Sequence, residues 1–305
     1  MYLEHFGLRE FPFTISPDTS FYLSLPSHQD ALNTLAVSTR TGEGFIKVVG
    51  EVGTGKTMLC RKFLAMLDPR MFITAYIPNP YVEPMVLLCA IADELGINYD
   101  DHINQHQLLR KINTFLMDAY SDNKRVVLCM DEAQAIPVET LEALRLLSNL
   151  ETERRKLLQI VLFGQPELDD RLRGPSVRQL RQRIAFSCRL LPITKEEVRD
   201  YIAYRLSKAE YDGPRLFCDR AVREIYQVSA GIPRLVNILA HKSLMAAYGE
   251  GKREIGLEHV RLAIQDTESL QYTNRGVLFH LKRYWAAIAA TVTISVGILI
   301  WGVYV

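Results

Sequence analysis

The stretch that decides the fold is Gly50-Glu-Val-Gly-Thr-Gly-Lys-Thr57, which fits the spacing G-x-x-x-x-G-K-[ST]. An apolar run, residues 45–49, precedes this stretch, and a segment with a helical pattern, residues 58–67, follows it. A strand, a glycine-rich loop and a helix in this order form the context in which the spacing binds polyphosphates. Glycines let the loop turn its N–H groups inward around phosphates, and the N-terminus of the helix attracts negative charge.

The loop positions have separate predicted roles. Lys56 is expected to reach the β- and γ-phosphates of a nucleotide, and the Thr57 hydroxyl is expected to bind Mg²⁺. The residues predicted to hold the nucleotide are Gly50, Glu51, Val52, Gly53, Thr54, Gly55, Lys56, Thr57 and Met58. The alternative is a glycine-rich surface loop that matches the spacing by accident, and the strand–loop–helix context argues against it.

A second signal is the pair Asp131-Glu132, which follows the apolar run 126–130. A continuous apolar run is typical of a strand buried on both faces of a parallel sheet. Such a strand would bring both carboxylates to its C-terminal end, where open α/β sheets bind ligands. Asp131 is predicted to hold Mg²⁺, directly or through water. Glu132 is predicted to orient the water that attacks the γ-phosphate, so the pair indicates hydrolysis of the bound nucleotide.

Three further features supply candidate residues. Gln165 follows the apolar run 157–163 and could help to place the water, although its surroundings would also suit a simple turn. Arg234, at the start of a predicted helix, could reach the γ-phosphate, or could be an ordinary surface arginine. A basic cluster could act as an arginine finger on a neighbouring subunit's nucleotide, bind nucleic-acid phosphates, or form a solvated helix face. The cluster consists of Arg171, Arg173, Arg178, Arg181 and Arg183.

Composition restricts the possible function classes. The 36 basic and 35 acidic side chains nearly cancel, so no overall attraction to nucleic acid is expected. The five cysteines include no C-x-x-C pair, which argues against zinc or redox chemistry and favours a reducing compartment. The N-terminus lacks the basic region and apolar run of a secretory signal peptide, so the folded body is expected in the cytoplasm.

The pattern of apolar runs divides the chain. Runs alternate with helical patterns up to residue 191, which predicts an α/β domain with a parallel sheet over residues 1–191. Residues 1–27 are rich in aromatics and turn formers, so we expect them to pack on the larger body. Only helical patterns follow, beginning with the capping box Thr194-Lys-Glu-Glu197, and they predict an all-α lid domain over residues 192–270.

The C-terminal part differs again. A basic linker, 271–283, leads to residues 284–305, which carry no charged side chain and have aromatic residues near both ends. About 22 residues at about 1.5 Å each cover roughly 33 Å, enough to cross a hydrocarbon core of about 30 Å. We therefore expect one transmembrane helix with the preceding domains on the cytoplasmic side. The alternative is a buried helix of the folded body.

These motifs resemble those of the AAA+ ATPases and, more narrowly, those of the general secretion pathway protein A family. The opening Phe6-Gly-Leu8, Pro12-Phe13 and Ser16-Pro-Asp18, followed by His28, is similar to the N-terminal signature of that family. Within the family, the chain most resembles members that serve biogenesis of the mannose-sensitive haemagglutinin (MSHA) type IV pilus. The resemblance covers nearly the whole chain.

The resemblance implies a P-loop NTPase sheet of order 5-1-4-3-2, with ATP and Mg²⁺ as cofactors. It also implies that residues 1–27 wall the adenine pocket and that the helical domain is a lid. The arginine finger would lie in Leu180-Arg-Gln-Arg183, which favours Arg181 or Arg183 over Arg178. Gln165 stands where many AAA+ proteins carry Asn. Secretion relatives continue past the membrane into a peptidoglycan-binding domain, whereas this sequence stops at Val305, which leaves direct contact with the cell wall open.

The function predicted from these observations is that of an Mg-dependent ATPase anchored in the bacterial inner membrane. It would act as a homo-oligomer, a ring or a dimer, on pilus or secretion assembly proteins of a type IV pilus or a type II-like secretion system. One alternative is a helper ATPase of DNA transactions such as transposition, against which the balanced charge and the membrane anchor argue. Another is a nucleotide-dependent scaffold with little turnover.

Overall fold

A five-stranded parallel sheet forms the centre of the computed structural model, which describes residues 2–16, 18–151 and 156–267. The strand order is β2-β3-β4-β1-β5. The strands are β1 (Phe45–Gly50), β2 (Phe72–Ile77), β3 (Arg125–Met130), β4 (Leu158–Gly164) and β5 (Ile184–Leu190). Counted from the other edge this is the order 5-1-4-3-2, so the predicted topology is confirmed.

Helices connect the strands and cover both faces of the sheet. They are α1 (Tyr2–Phe6), α2 (Pro26–Thr41), α3 (Lys56–Met66), α4 (Pro84–Glu94), α5 (Gln105–Ser121), α6 (Val138–Leu147), α7 (Glu167–Leu172) and α8 (Arg178–Arg181). Leucines at three-residue spacing predict a helix that reaches Leu150, whereas α6 ends at Leu147; they are Leu141, Leu144, Leu147 and Leu150.

Alternate residues of the central strands enter two separate cores, because successive side chains of a strand point to opposite faces. In β3, Val126, Leu128 and Met130 pack with α4, α5 and α6, whereas Val127 and Cys129 pack with α2 and α3. All five side chains are buried. Burial on both faces explains why the sequence of this strand is apolar throughout instead of alternating.

A helical unit follows the sheet. It contains α9 (Lys195–Lys208), α10 (Asp219–Ser229), α11 (Pro233–Gly249) and α12 (Leu257–Gln265). At the start of α9, the Thr194 hydroxyl accepts a hydrogen bond from the Glu197 N–H at 3.2 Å. The Glu197 carboxylate in return accepts one from the Thr194 N–H at 2.6 Å. This is the capping box that the sequence predicts.

The N-terminal segment packs into the core of the helical unit. Tyr2, Phe6, Phe13 and Phe21 share one buried cluster with side chains of α9, α10, α11 and α12. The hydroxyl of Tyr2 also lies 2.9 Å from Nδ1 of His241 on α11. By its contacts, therefore, this aromatic segment belongs to the helical unit as much as to the sheet that follows it in sequence.

The C-terminal predictions fall mostly outside the part of the chain that the structure describes. Residues 268–270 of the predicted lid domain, the predicted linker 271–283 and the predicted transmembrane segment 284–305 all lie there. No helix among the described residues is both long enough and apolar enough to span a bilayer.

Gly231 packs against Ile193, in the segment that leads from β5 into the helical unit. The carbonyl of Gly231 accepts a hydrogen bond from the Ile193 N–H at 2.8 Å. Gly231 has φ +73°, and a Cβ placed on it would lie 2.0 Å from the carbonyl oxygen of Ile193. Both the backbone conformation and the close approach therefore require glycine at this position.

Substitution of Gly231 should destabilise the protein more than substitution of a glycine with the same backbone conformation in open space. Gly96 is that control, because it has φ +70° and a Cβ added to it would meet no heavy atom of the described residues within 4 Å. Gly96→Ala should lower the free energy of unfolding by about 1–2 kcal/mol, the cost of the left-handed conformation. Gly231→Ala should lower it by a further 1–3 kcal/mol or so, because of the backbone collision.

Urea unfolding followed by circular dichroism measures this difference. Equal midpoints for the two variants would show that the junction tolerates a side chain at position 231.

Candidate nucleotide-binding site

The loop 50–57 joins β1 to α3 at the carboxyl edge of the sheet. Gly53 has φ +82° and Gly55 has φ +96°, both in the left-handed region. A Cβ at Gly53 would lie 2.6 Å from Cβ of Arg234, and one at Gly55 would lie 2.9 Å from Nε2 of His28. The loop therefore needs glycine at both positions, for its own conformation and for the close approach of its neighbours.

Lys56 lies at the N-terminus of α3 and is only 5% exposed. Its Nζ donates hydrogen bonds to the carbonyls of Gly50 at 2.8 Å and Glu51 at 3.0 Å. Burial lowers the pKa of this ammonium group, and the nearby carboxylates of Glu132 and Asp131 oppose the shift. The ammonium group thus lies inside the curve of the loop, where a phosphate oxygen of a ligand would meet it.

Asp131 follows β3 and contacts Thr57 across the site. The Thr57 hydroxyl donates to Oδ2 of Asp131 at 2.5 Å, and the Glu132 N–H donates to Oδ1 at 2.9 Å. The hydroxyl of Tyr76 lies 3.5 Å from the same Oδ2. Asp131 is 3% exposed. Burial raises the pKa of its carboxyl group, against the hydrogen bonds from Thr57 and Glu132 that lower it.

The pair Thr57–Asp131 fits Mg²⁺, because a hydroxyl and a carboxylate are oxygen ligands of the kind that this ion prefers. A cation would also offset the burial of the Asp131 carboxylate, which the nearby Lys56 offsets only in part. In the described ranges, no group of three or more His, Cys, Asp or Glu side chains could hold a metal by itself. Mg²⁺ at this pair would therefore depend on phosphate and water ligands, as it commonly does in proteins.

Glu132 has φ +50°, an uncommon value for a residue with a side chain. Its Oε2 accepts hydrogen bonds from Nε2 of Gln165, at 3.0 Å, and from Nε2 of Gln134. Oε1 of Gln134 in turn accepts from the N–H of Gln165 at 2.9 Å. The ends of β3 and β4 are thereby tied together around the Glu132 carboxylate. The candidates predicted from the sequence include Gln165 but not Gln134. The sequence indicates Gln134 only as an amide side chain two residues after Glu132.

A cavity of about 340 Å³ opens beside the loop, within the size range of small-molecule sites. Its wall is formed by the N-terminal segment with the start of α2, by the loop with Glu132, and by the helical unit. The lining includes Thr14, Phe21, Tyr22, His28, Tyr201, Arg205, Arg234 and Asn237, together with Val52–Met58 of the loop. Of the residues predicted to hold a nucleotide, Gly50 and Glu51 instead present their carbonyls to Lys56.

Arg234 links the helical unit to the loop. Its N–H donates to the carbonyl of Gly53 at 3.2 Å, and its exposed side chain lines the cavity. This position agrees with a role near the phosphates.

Arg205 is a cavity residue that the sequence-based candidates omit. It is 5% exposed, its Nε donates to the Pro12 carbonyl at 2.5 Å and its Nη1 to the Tyr201 hydroxyl at 2.7 Å. Its guanidinium group also lies 4.9 Å from the ring centre of Phe21. The feature of the sequence that could have indicated Arg205 is its position on the apolar face of a predicted helix.

The arginine-finger candidates lie elsewhere. Arg178 and Arg181 are exposed on α8, and Nη1 of Arg183 donates to the Ser148 hydroxyl at 2.7 Å. None of the three is among the described residues that line the cavity. This placement is compatible with action on the nucleotide of a neighbouring subunit and equally with a solvated helix face.

Two sequence comparisons agree with the motifs. Residues 39–172 match the family model described as AAA domain. The chain is also 40% identical over 271 residues to general secretion pathway protein A of Aeromonas hydrophila. That alignment covers 89% of this chain and 49% of the relative, so the chain spans about half the length of the curated protein that it matches.

Solved structures share the fold at low sequence identity. The ORC2 protein of Aeropyrum pernix, in ADPNP–ADP complexes, matches with TM-score 0.59 and 17% identity over 83% of this chain and 72% of that chain. Cdc6p from Pyrobaculum aerophilum matches with TM-score 0.62 and 19% identity, over 82% of this chain and 71% of that chain. The ORC1 protein of Aeropyrum pernix in complex with DNA matches with TM-score 0.58 and 18% identity, over 83% and 68%.

Identities below 20% support a common fold and nothing more specific. The sequence matches carry the assignment further, because they include the phosphate loop and the Asp131-Glu132 pair within residues 39–172. The chain thus contains an AAA domain and is a relative of general secretion pathway protein A, of which it spans about half the length.

Proposed function

We propose that this protein binds ATP with Mg²⁺ and hydrolyses it to ADP and phosphate. The proposal rests on three groups that lie together at one edge of the sheet. They are Lys56, the Thr57–Asp131 pair, and the Glu132 carboxylate, which accepts hydrogen bonds from side-chain amides. A simple phosphate-binding loop would need only the first of these groups. A carboxylate oriented beside a metal-binding pair is what hydrolysis additionally requires.

Each group has a distinct task in this proposal. The N–H groups of the loop and the Lys56 ammonium bind the β- and γ-phosphates. Thr57 and Asp131 hold Mg²⁺, which neutralises charge on the phosphates when it is bound. Glu132 orients the attacking water and polarises it. Gln134 and Gln165 keep the Glu132 carboxylate in one orientation, and such positioning matters because small displacements of a catalytic group reduce rates strongly.

The helical unit is proposed to act as a lid. Support comes from Arg234, which bonds to the loop at Gly53 and lines the cavity, and from Tyr201 and Arg205 on α9, which line it too. A nucleotide in the cavity would contact the sheet domain and the helical unit at once. Binding and loss of the γ-phosphate would therefore change the interactions between the two, which is how a nucleotide can drive a conformational change.

We infer that the protein works at the bacterial inner membrane as a homo-oligomer with its ATPase domain in the cytoplasm. The uncharged segment 284–305 and the relation to a secretion pathway protein support this. Its partners would be assembly proteins of a type II-like secretion system or, following the resemblance in sequence, of MSHA-type pilus biogenesis. ATP hydrolysis would assemble or regulate that machine.

Replacement of Lys56 should weaken nucleotide binding. Lys56→Ala removes a charged hydrogen-bond donor to the phosphates, so we expect the Kd for ATP to rise about 10- to 100-fold. Titration with a fluorescent ATP analogue and Mg²⁺ on detergent-solubilised protein measures this change. Lys111→Ala, on α5, is the matched control, because its exposed Nζ bonds to the Asn98 carbonyl instead of the loop. Equal affinities of the two variants would contradict the role of Lys56.

Replacement of Glu132 should separate binding from hydrolysis. Glu132→Gln keeps the size of the side chain but removes the negative charge that polarises water, so turnover should fall at least about 100-fold. The affinity for ATP should change by less than about threefold, because the phosphates do not depend on this group. Phosphate release and nucleotide titration measure the two quantities. Glu139→Gln, at an exposed position of α6, should leave both unchanged. Unchanged turnover of Glu132→Gln would remove Glu132 from the mechanism.

Removal of residues 284–305 should release the protein from membranes. We expect the full chain to sediment with membranes and to resist carbonate extraction, because an uncharged stretch of about 20 residues partitions into the bilayer. The shortened chain should remain in the supernatant. As a control, an unrelated leucine-rich segment of about 20 residues in place of 284–305 should restore sedimentation. Recovery of the full chain in the supernatant would refute membrane anchoring.

A further inference from the structure

Four side-chain atoms around the cavity are buried without a hydrogen-bond partner among the residues that the structure describes. They are Thr14 Oγ1, Tyr22 Oη, His28 Nδ1 and Asn237 Oδ1. Buried polar atoms are normally paired, since an unpaired one has lost its water without compensation. Four such atoms in the wall of one cavity point to a ligand that offers hydrogen bonds there.

Asn237 presents a fixed acceptor in this wall. The residue is 6% exposed, and its Nδ2 donates to the carbonyl of Thr14 at 3.4 Å. Because a carbonyl oxygen can only accept, the nitrogen of the amide must be the atom on the Thr14 side. Oδ1 is then the remaining atom, and it requires a donor from the ligand.

His28 presents a second acceptor, at a different place. Its Nε2 lies 2.9 Å from the carbonyl oxygen of Thr54, so Nε2 carries the proton. Burial lowers the pKa of His28, which keeps the ring neutral and leaves Nδ1 as an acceptor. Because His28 bonds to the phosphate loop itself, its Nδ1 is suited to the part of a nucleotide next to the phosphates, the ribose hydroxyls.

Asn237 bonds instead to the N-terminal segment, whose aromatic residues Phe21 and Tyr22 also line the cavity. Aromatic walls suit the flat apolar faces of a nucleobase, and a few placed polar groups then select its edge. Adenine carries an amino group, a donor, at position 6, whereas guanine carries a carbonyl acceptor there. An acceptor facing position 6 therefore distinguishes the two purines.

We propose that Asn237 selects the base of the nucleotide. Its Oδ1 accepts a hydrogen bond from the 6-amino group of adenine, and guanine is disfavoured because two acceptors would face each other without a proton between them. Asn237 is thus a specificity-determining residue and takes no part in the chemical step. The inference rests on the proposed function, since it presupposes that the cavity binds a nucleoside triphosphate.

The test compares two ligands that differ in one group. ATP and purine riboside triphosphate, which has hydrogen at position 6, are titrated with Mg²⁺ against the full-length protein in detergent. The wild type should bind ATP about 10-fold more tightly, because loss of the donor leaves Oδ1 buried and unpaired. Asn237→Leu has a similar volume but no acceptor, so its two dissociation constants should agree within about twofold.

Two further variants complete the design. Asn33→Leu changes an exposed amide on α2 outside the cavity and should keep the wild-type preference for ATP. Asn237→Ala removes the amide without adding bulk and replaces Asn237→Leu in the comparison if circular dichroism shows that the leucine variant is unfolded.

The outcomes separate the inference from the function on which it rests. An unchanged preference for ATP in a folded Asn237 variant would overturn the assignment of base selection to this residue. Equal affinity of the wild type for the two ligands would overturn it as well. Failure of the wild type to bind any nucleoside triphosphate would instead refute the proposed function.

Discussion

The contact between the Thr57 hydroxyl and the Asp131 carboxylate is the constraint on which the site depends. These residues follow β1 and β3, which are not neighbours, because β4 lies between them in the sheet. The contact forms only if the strands are parallel, so that all their carboxyl ends lie at one edge. It also requires the loop 50–57 to carry the start of α3 across the end of β4. Gln165, at the end of β4, then lies beside Glu132 as a consequence of the same strand order.

Charge at this edge of the sheet is concentrated and poorly solvated. Lys56 and Asp131 are both almost fully buried, and burial shifts the pKa of each toward its neutral form. Such buried charges lower the stability of the protein without ligand. Binding of an oppositely charged ligand offsets this cost. A nucleotide phosphate for Lys56 and a cation for Asp131 would be such ligands. Any ligand that binds the folded state alone also stabilises it, so stability and ligand binding are linked at this site.

Much of the fold could be predicted from local patterns. Strands β1, β3 and β4 fall within one residue of the apolar runs 45–49, 126–130 and 157–163, and the capping box at Thr194 marks the start of α9, because these features depend on neighbours in sequence. The phosphate loop and the Asp131-Glu132 pair were likewise visible as motifs. Arg205 and Asn237 were not, since their positions depend on residues far away in the chain: Arg205 bonds to Pro12, and Asn237 to Thr14. Gln134 was missed because its bond to Gln165 joins the ends of two different strands. Patterns of single residues do not contain such pairings.

The packing of the N-terminal aromatic segment into the helical unit has a consequence for synthesis of the chain. Tyr2 pairs with His241, which lies 239 positions later. At roughly 5–20 residues per second, a ribosome needs on the order of 10–50 s to make the intervening chain. For most of this time Tyr2 and Phe13 lack His241 and Phe217, the distant rings that they contact in the fold, although the sheet can already form. The aromatic segment is thus synthesised well before the helical unit that buries it, and it is among the last of the described parts of the chain to reach its native surroundings.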